Sequence, residues 1–167
     1  MALAAPPLWR LPSGRGADLR GRDLAVVYAI VFVLLPIASG FYFAAASAAT
    51  DPFSPPGELP VWLIRSVQQF TLFHAAATAW GWPAALLSVP LVVMLARRDL
   101  LGLAVFVALG LGLGALSGLV LLGVIHRSVP DDLSLGLGLS AAVGVFFSVQ
   151  VWLLLLLRRS DLFLRKG

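Results

Sequence analysis

Charged residues fall in a few short clusters, and between them the chain is apolar over long distances. Residues 24–50, 66–96, 100–125 and 133–157 carry no formal charge, over 27, 31, 26 and 25 residues. A helix needs about 20 apolar residues to cross a hydrocarbon core of roughly 30 Å, so each stretch is long enough for a span. Lipid offers the backbone no hydrogen-bond partner, which makes each span helical. The chain lacks the repeated in–out alternation of a membrane β-barrel. The predicted fold is therefore all-α: a polytopic membrane protein, with a four-transmembrane-helix bundle over residues 24–157. The spans are predicted at about 24–48, 70–96, 100–125 and 133–157. Residues 60–69 are predicted as an interfacial helix, with Trp62 and Arg65 near the headgroups. Pro83 and Pro90 lack a backbone donor and are expected to bend the second span, most naturally at Trp80-Gly81-Trp82-Pro83.

The basic residues supply orientation. Arg10, Arg15, Arg20 and Arg22 precede the first span, Arg97 and Arg98 separate the second and third, and Arg158, Arg159, Arg165 and Lys166 follow the fourth. In a four-span topology these all fall on one side, and only Arg65 and Arg127 fall on the other. The excess of Lys and Arg on cytoplasmic loops then puts both termini in the cytoplasm. Asp51, Glu58, Asp131 and Asp132 belong to the outer loops. The amino-terminal segment, residues 1–23, is rich in Pro, Gly and Arg and is expected to be partly ordered at best, with Trp9 against the inner interface. Residues 158–167 form a basic cytoplasmic tail. The first apolar stretch exceeds the length of an ordinary signal-peptide core, so we read it as a retained span. The location that fits is a bacterial plasma (inner) membrane.

Composition agrees with this picture. Hydrophobic residues make up 60% of the chain and charged ones 12%, against roughly 45–50% and 25% in soluble domains. The net charge of +4 reads as a topology signal and an attraction to anionic lipid, not as a nucleic-acid platform. There is no cysteine, which excludes disulfide chemistry, thiol catalysis and thiolate metal sites. No acidic or basic residue lies deep in a span, as ion-coupled transport usually requires. Nor do the spans hold the lysine that retinal attachment needs, or paired aspartates for intramembrane proteolysis. The Gly-rich run around Gly110–Gly114 lacks the strand–loop–helix setting and lysine of a phosphate cradle.

Association of helices in lipid relies on close packing and interhelical hydrogen bonds, so small residues mark contacts. Gly110, Gly114 and Gly118 lie four apart in the third span, and Gly136, Ser140, Gly144 and Ser148 in the fourth. Each set is a stripe along one helix face. An antiparallel hairpin with the two stripes in contact is expected, in the manner of a glycine zipper. Either stripe could alternatively serve self-association or docking to another subunit.

Candidate chemistry centres on His74, the one strongly polar titratable group inside a span. At 1.5 Å per residue, His74 and Tyr42 sit on the order of 12 Å deep. A polar cluster of Ser39, Tyr42, Thr71, His74 and Thr78 follows from helical spacing, with His74 a neutral imidazole bonded to Tyr42, Ser39 or a threonine. The sharper alternative makes His74 and His126 axial ligands of haem b, although His126 belongs at the membrane boundary and a paired site wants ligands at similar height. No catalytic residue and no metal site is expected, and a cofactor is expected to be absent unless it is such a haem. Three functions fit. They are an accessory or scaffolding subunit of a larger membrane complex without catalysis of its own, a haem- or quinone-binding electron-transfer subunit using His74, and a small transport component acting as an oligomer. The partners expected are the lipid bilayer and other membrane subunits or further copies of the chain.

Overall fold

The computed structural model describes Leu11, residues 16–49, 59–126 and 133–163. Among these residues the regular structure is all helical, with no strand. A short 3-10 turn, Gly16–Asp18, leads to α1 (Gly21–Ala29), a π-helical segment (Ile30–Leu34) and α2 (Leu35–Ala49). Then come α3 (Leu59–Ala96), α4 (Leu103–His126), α5 (Leu133–Arg158) and the single turn α6 (Ser160–Phe163). Three stretches are long and apolar enough to cross a membrane: Gly21–Ser47, Leu103–Val120 and Gly136–Arg158. A fourth span exists if Leu63–Thr78 and Gly81–Ala96 of α3 are taken together. The chain is thus an all-helical, multi-pass membrane protein with three or four candidate spans.

The first apolar stretch departs from the single regular helix that the sequence suggests. The π-segment is closed by the Leu35 amide donating to the Ile30 carbonyl, a bond one residue wider than the α-helical one. Pro36 follows at once; its ring crowds the carbonyl of residue 32 and it offers no donor, and a widened turn just ahead of it relieves that crowding. The second departure concerns residues 60–69, which are no separate interfacial helix but the opening turns of α3. No residue from Val61 to Gln69 breaks a helix, and Gln68 and Gln69 favour one. The chain divides into two compact units, Ala29–Trp80 on the one hand and Met1–Tyr28 with Gly81–Gly167 on the other. The division inside α3 falls at Trp80-Gly81.

In the larger unit the most extensive pairing is between α4 and α5. Glycines set its distance. A Cβ on Gly110 would stand 2.6 Å from the Gly144 carbonyl oxygen and 2.7 Å from Val145 Cα; on Gly114 it would meet the Ser140 carbonyl and lie 3.0 Å from Ala141 Cα; on Gly118, 2.6 Å from Ser140 Cβ. Gly144 faces the Gly110 carbonyl in return. Backbone therefore lies against backbone, with no room for a methyl group. Gly110, Gly114, Gly118, Ser140 and Gly144 come together across this contact. Ser148 is half-buried, as is Gly136, and the tight contacts described run through the other five. The apolar core of this unit lies toward its basic end: Leu24, Val27, Val92, Leu101, Phe106, Trp152, Leu155, Leu162 and Phe163 are all buried. Trp152 donates to the Leu101 carbonyl at 3.2 Å and meets Phe163 edge-to-face, which fastens α6 and the α3–α4 connection to α5. Tyr28 bonds Ser88 in α3; since Ser88 gives its own proton to the Ala85 carbonyl, Tyr28 is the donor. Elsewhere the helices present large apolar side chains outward, Leu34, Leu86, Leu139 and Leu157 among them.

Gly114→Leu and Gly144→Leu should each lower the thermal midpoint of detergent-purified protein, since overpacking a close contact costs about 1–3 kcal/mol or more. Gly112 has open space where a Cβ would go, so Gly112→Ala should melt at or above the wild-type temperature. Equal behaviour of the three variants would show that α4 and α5 do not meet on this face.

Candidate functional site

The smaller unit holds the polar cluster. His74 is 4% exposed on α3, and its Nδ1 shares a hydrogen bond with Ser39 Oγ of α2 at 3.1 Å. Phe70, one turn earlier, stacks on the imidazole with ring centroids 6.4 Å apart. Thr78 is buried, and its hydroxyl donates to the His74 carbonyl at 2.8 Å; Thr71 donates likewise to the Gln68 carbonyl at 2.8 Å. Both threonines thus return their protons to the preceding turn of their own helix, as hydroxyls do where no water is at hand. Gln68 is fully buried. It lies six residues before His74 and was not part of the predicted cluster; its signal was a primary amide inside an uncharged stretch. Tyr42 takes no part in the His74 bond and is 43% exposed. Of the candidate partners, Ser39, the smallest, is the one used.

The arrangement fixes a ring orientation through Nδ1, and fixing one ring nitrogen is how a protein sets the tautomer at the other. His126 closes α4, but its side chain lies outside the described residues. A paired-histidine haem site is thus represented by His74 alone. Among the described residues no group of three or more His, Asp or Glu side chains is placed to hold a metal ion.

A second polar constellation, which the sequence did not announce, sits at the basic end of the larger unit. Asp23, on the first turn of α1, is 4% exposed. Its two carboxylate oxygens accept from Arg158 Nε at 3.0 Å and from Arg159 Nη1 at 2.9 Å. Arg159 also donates to the Asp18 carbonyl at 3.0 Å and through Nε and Nη2 to Asp161, both at 3.1 Å. The Asp161 carboxylate, and after the opposing cost of burial that of Asp23, hold the Arg159 guanidinium above its ordinary pKa range. One arginine thereby ties together the turn before α1, α1 itself and α6.

Asp99 performs a related task beside it. The carboxyl end of α3 closes with the Leu100 amide on the Leu95 carbonyl and the Asp99 amide on that of Ala96, both at 2.9 Å. That pair of bonds is a Schellman cap, which needs a left-handed residue between; Asp99 supplies it with φ 56°. The same residue accepts from the Leu11 amide on its carbonyl at 2.7 Å and from the Gly16 amide on its carboxylate at 2.8 Å. Side-chain addition at Gly16 would collide with the Ala96 carbonyl. The described parts of the amino-terminal segment are therefore docked and not loose, Leu11 being buried; Trp9 lies outside the described residues. Three basic segments, before α1, between α3 and α4 and after α5, meet at one end of this unit.

Two predictions follow from these geometries. Ser39→Ala should reduce stability by about 0.6–1.7 kcal/mol, the range of hydrogen bonds between membrane helices, while Tyr42→Phe should leave the melting temperature unchanged. The opposite ranking in thermal melts would assign Tyr42 as the partner. Asp23→Asn leaves two guanidiniums facing a neutral amide. We expect a loss of about 2–3 kcal/mol, somewhat below that for a fully buried pair because Arg158 keeps 40% of its side-chain surface; chemical denaturation in detergent measures it.

No protein-family model matches the chain, and no characterised protein or solved structure does so either.

Proposed function

We propose that the chain is a small accessory or scaffolding subunit of a larger assembly in a bacterial plasma membrane, with four spans, both termini in the cytoplasm and no catalysis of its own. The observation that carries this reading is the distribution of polarity. Most ionised side chains of the described residues cluster at the ends of the candidate spans, several polar groups within the spans bond to a neighbouring helix or to their own backbone, and most of what remains along the helices is apolar surface. Such a body offers other membrane proteins a rigid face and offers a substrate little to react with. Same-side placement of the basic segments is supported by the Gly16–Asp99 and Asp23–Arg158 contacts, and the surplus of arginine there supports the cytoplasm as that side. The partners would be other integral membrane subunits or further copies of the chain, since little mass lies outside the spans.

Affinity purification of tagged chain from membranes in mild detergent should bring down a membrane protein in stoichiometric amount, or a defined oligomer. A monodisperse monomer in a detergent that preserves other complexes would remove the proposal. A dithionite-reduced spectrum with a haem band that disappears in His74→Ala would replace it with the electron-transfer reading.

A further inference from the structure

Beside Asp23 lies an open cleft of about 500 Å³ lined by Ala17, Asp18, Arg20, Arg22, Asp23 and Arg159. Its charge is uneven in a telling way. Both oxygens of Asp23 are occupied by Arg158 and Arg159, so this carboxylate is already neutralised from within. Arg159 is engaged in turn with Asp161. Arg20 and Arg22 instead present exposed guanidiniums to the cleft, with the Asp18 carboxylate as their acidic counterpart. The cleft therefore keeps a net positive wall. An arginine pair of this kind matches the paired oxygens of a phosphate diester.

Position then selects the source of that phosphate. The uncharged stretches begin at Leu24 and end at Leu157, so the cleft stands one residue outside two spans, at the level where lipid phosphates sit. On the membrane side of it the helices expose Val26, Leu153 and Leu157, the last to 75%, a surface suited to acyl chains. The geometry points to a binding site for one anionic phospholipid of the cytoplasmic leaflet, its headgroup phosphate held by Arg20 and Arg22 in the cleft and its chains lying along α1 and α5. This inference rests on the membrane topology proposed above, and it adds a specific ligand to what would otherwise be diffuse attraction of basic residues to an acidic surface.

The test uses full-length protein purified in a neutral detergent and titrated with phosphatidylglycerol, with native mass spectrometry counting bound lipid. One lipid should bind more tightly than the rest, and phosphatidylcholine should not replace it. Each arginine near a lipid surface is worth about fivefold in affinity, so Arg20→Gln/Arg22→Gln should weaken that first site roughly twentyfold. Arg97→Gln/Arg98→Gln removes equal charge from the same side but outside the cleft, and should weaken it less than threefold. Equal losses in the two double variants would overturn the site in favour of unspecific attraction. Equal binding of phosphatidylcholine, or complete displacement by millimolar inorganic phosphate, would overturn the lipid assignment. Thermal melting of both variants at the wild-type temperature shows that folding is not the cause. Failure of the topology itself registers separately, as protein that stays soluble without detergent.

Discussion

Hydrocarbon cannot hydrogen-bond, and that constraint bears on each polar side chain placed within a span. Within the spans a polar side chain has two options, its own helix or a neighbouring one. Thr71, Thr78 and Ser88 take the first and donate to carbonyls three or four residues back. Ser39 and His74 take the second. Because lipid tails are as apolar as leucine, burying leucine gains little, and helix pairing depends on proximity. The glycine contacts of α4 and α5 provide it: with no Cβ at Gly110, Gly114 or Gly144, dispersion and weak Cα–H contacts act over the shortest distances available to two helices.

The same constraint moves charge to the ends, where it acquires a second use. Two of the arginines at the ends of the apolar stretches also staple the larger unit. Arg158 and Arg159 hold α1 through Asp23, and Arg159 reaches the preceding turn through the Asp18 carbonyl. Asp99 caps α3 and receives two amides of the amino-terminal segment. Trp152 reaches from α5 to the Leu101 carbonyl. This end of the larger unit therefore combines buried apolar side chains with paired ions, while other positions on the helices leave large side chains outward.

Much of this was legible in sequence because it depends on local composition. Uncharged length determines helices that can span, and spacing of four determines a stripe, so the α4–α5 contact could be anticipated residue by residue from Gly110 to Gly144. Features that depend on which distant segments meet were not legible. Asp23 and Arg158 are 135 residues apart, and neither has a pattern around it that names the other. Ser39 and Tyr42 lie on adjoining parts of one helix face, and only packing decides which reaches His74. The π-segment ahead of Pro36 and the unbroken run of α3 through residue 69 are backbone outcomes. A hydropathy pattern reports apolarity there and says nothing of hydrogen-bond register. Gln68 leaves no mark on the charge pattern, because an uncharged amide keeps a charge-free stretch intact although the side chain is buried.

The central claim is that lipid, not water, surrounds the long apolar stretches, and the absence of cysteine from the chain permits a direct measurement. Leu34, Leu116 and Leu153 are exposed at 59%, 47% and 44%, so a water-soluble reagent would reach these positions if water surrounded them. Single cysteines at these positions should resist a water-soluble maleimide in sealed membrane vesicles. Cysteines at Arg22 and Arg97 should react together, and only when the cytoplasmic face is open to the reagent. Rapid labelling of the three leucine positions in intact membranes, or reaction of the two arginine positions from opposite faces, would contradict the account.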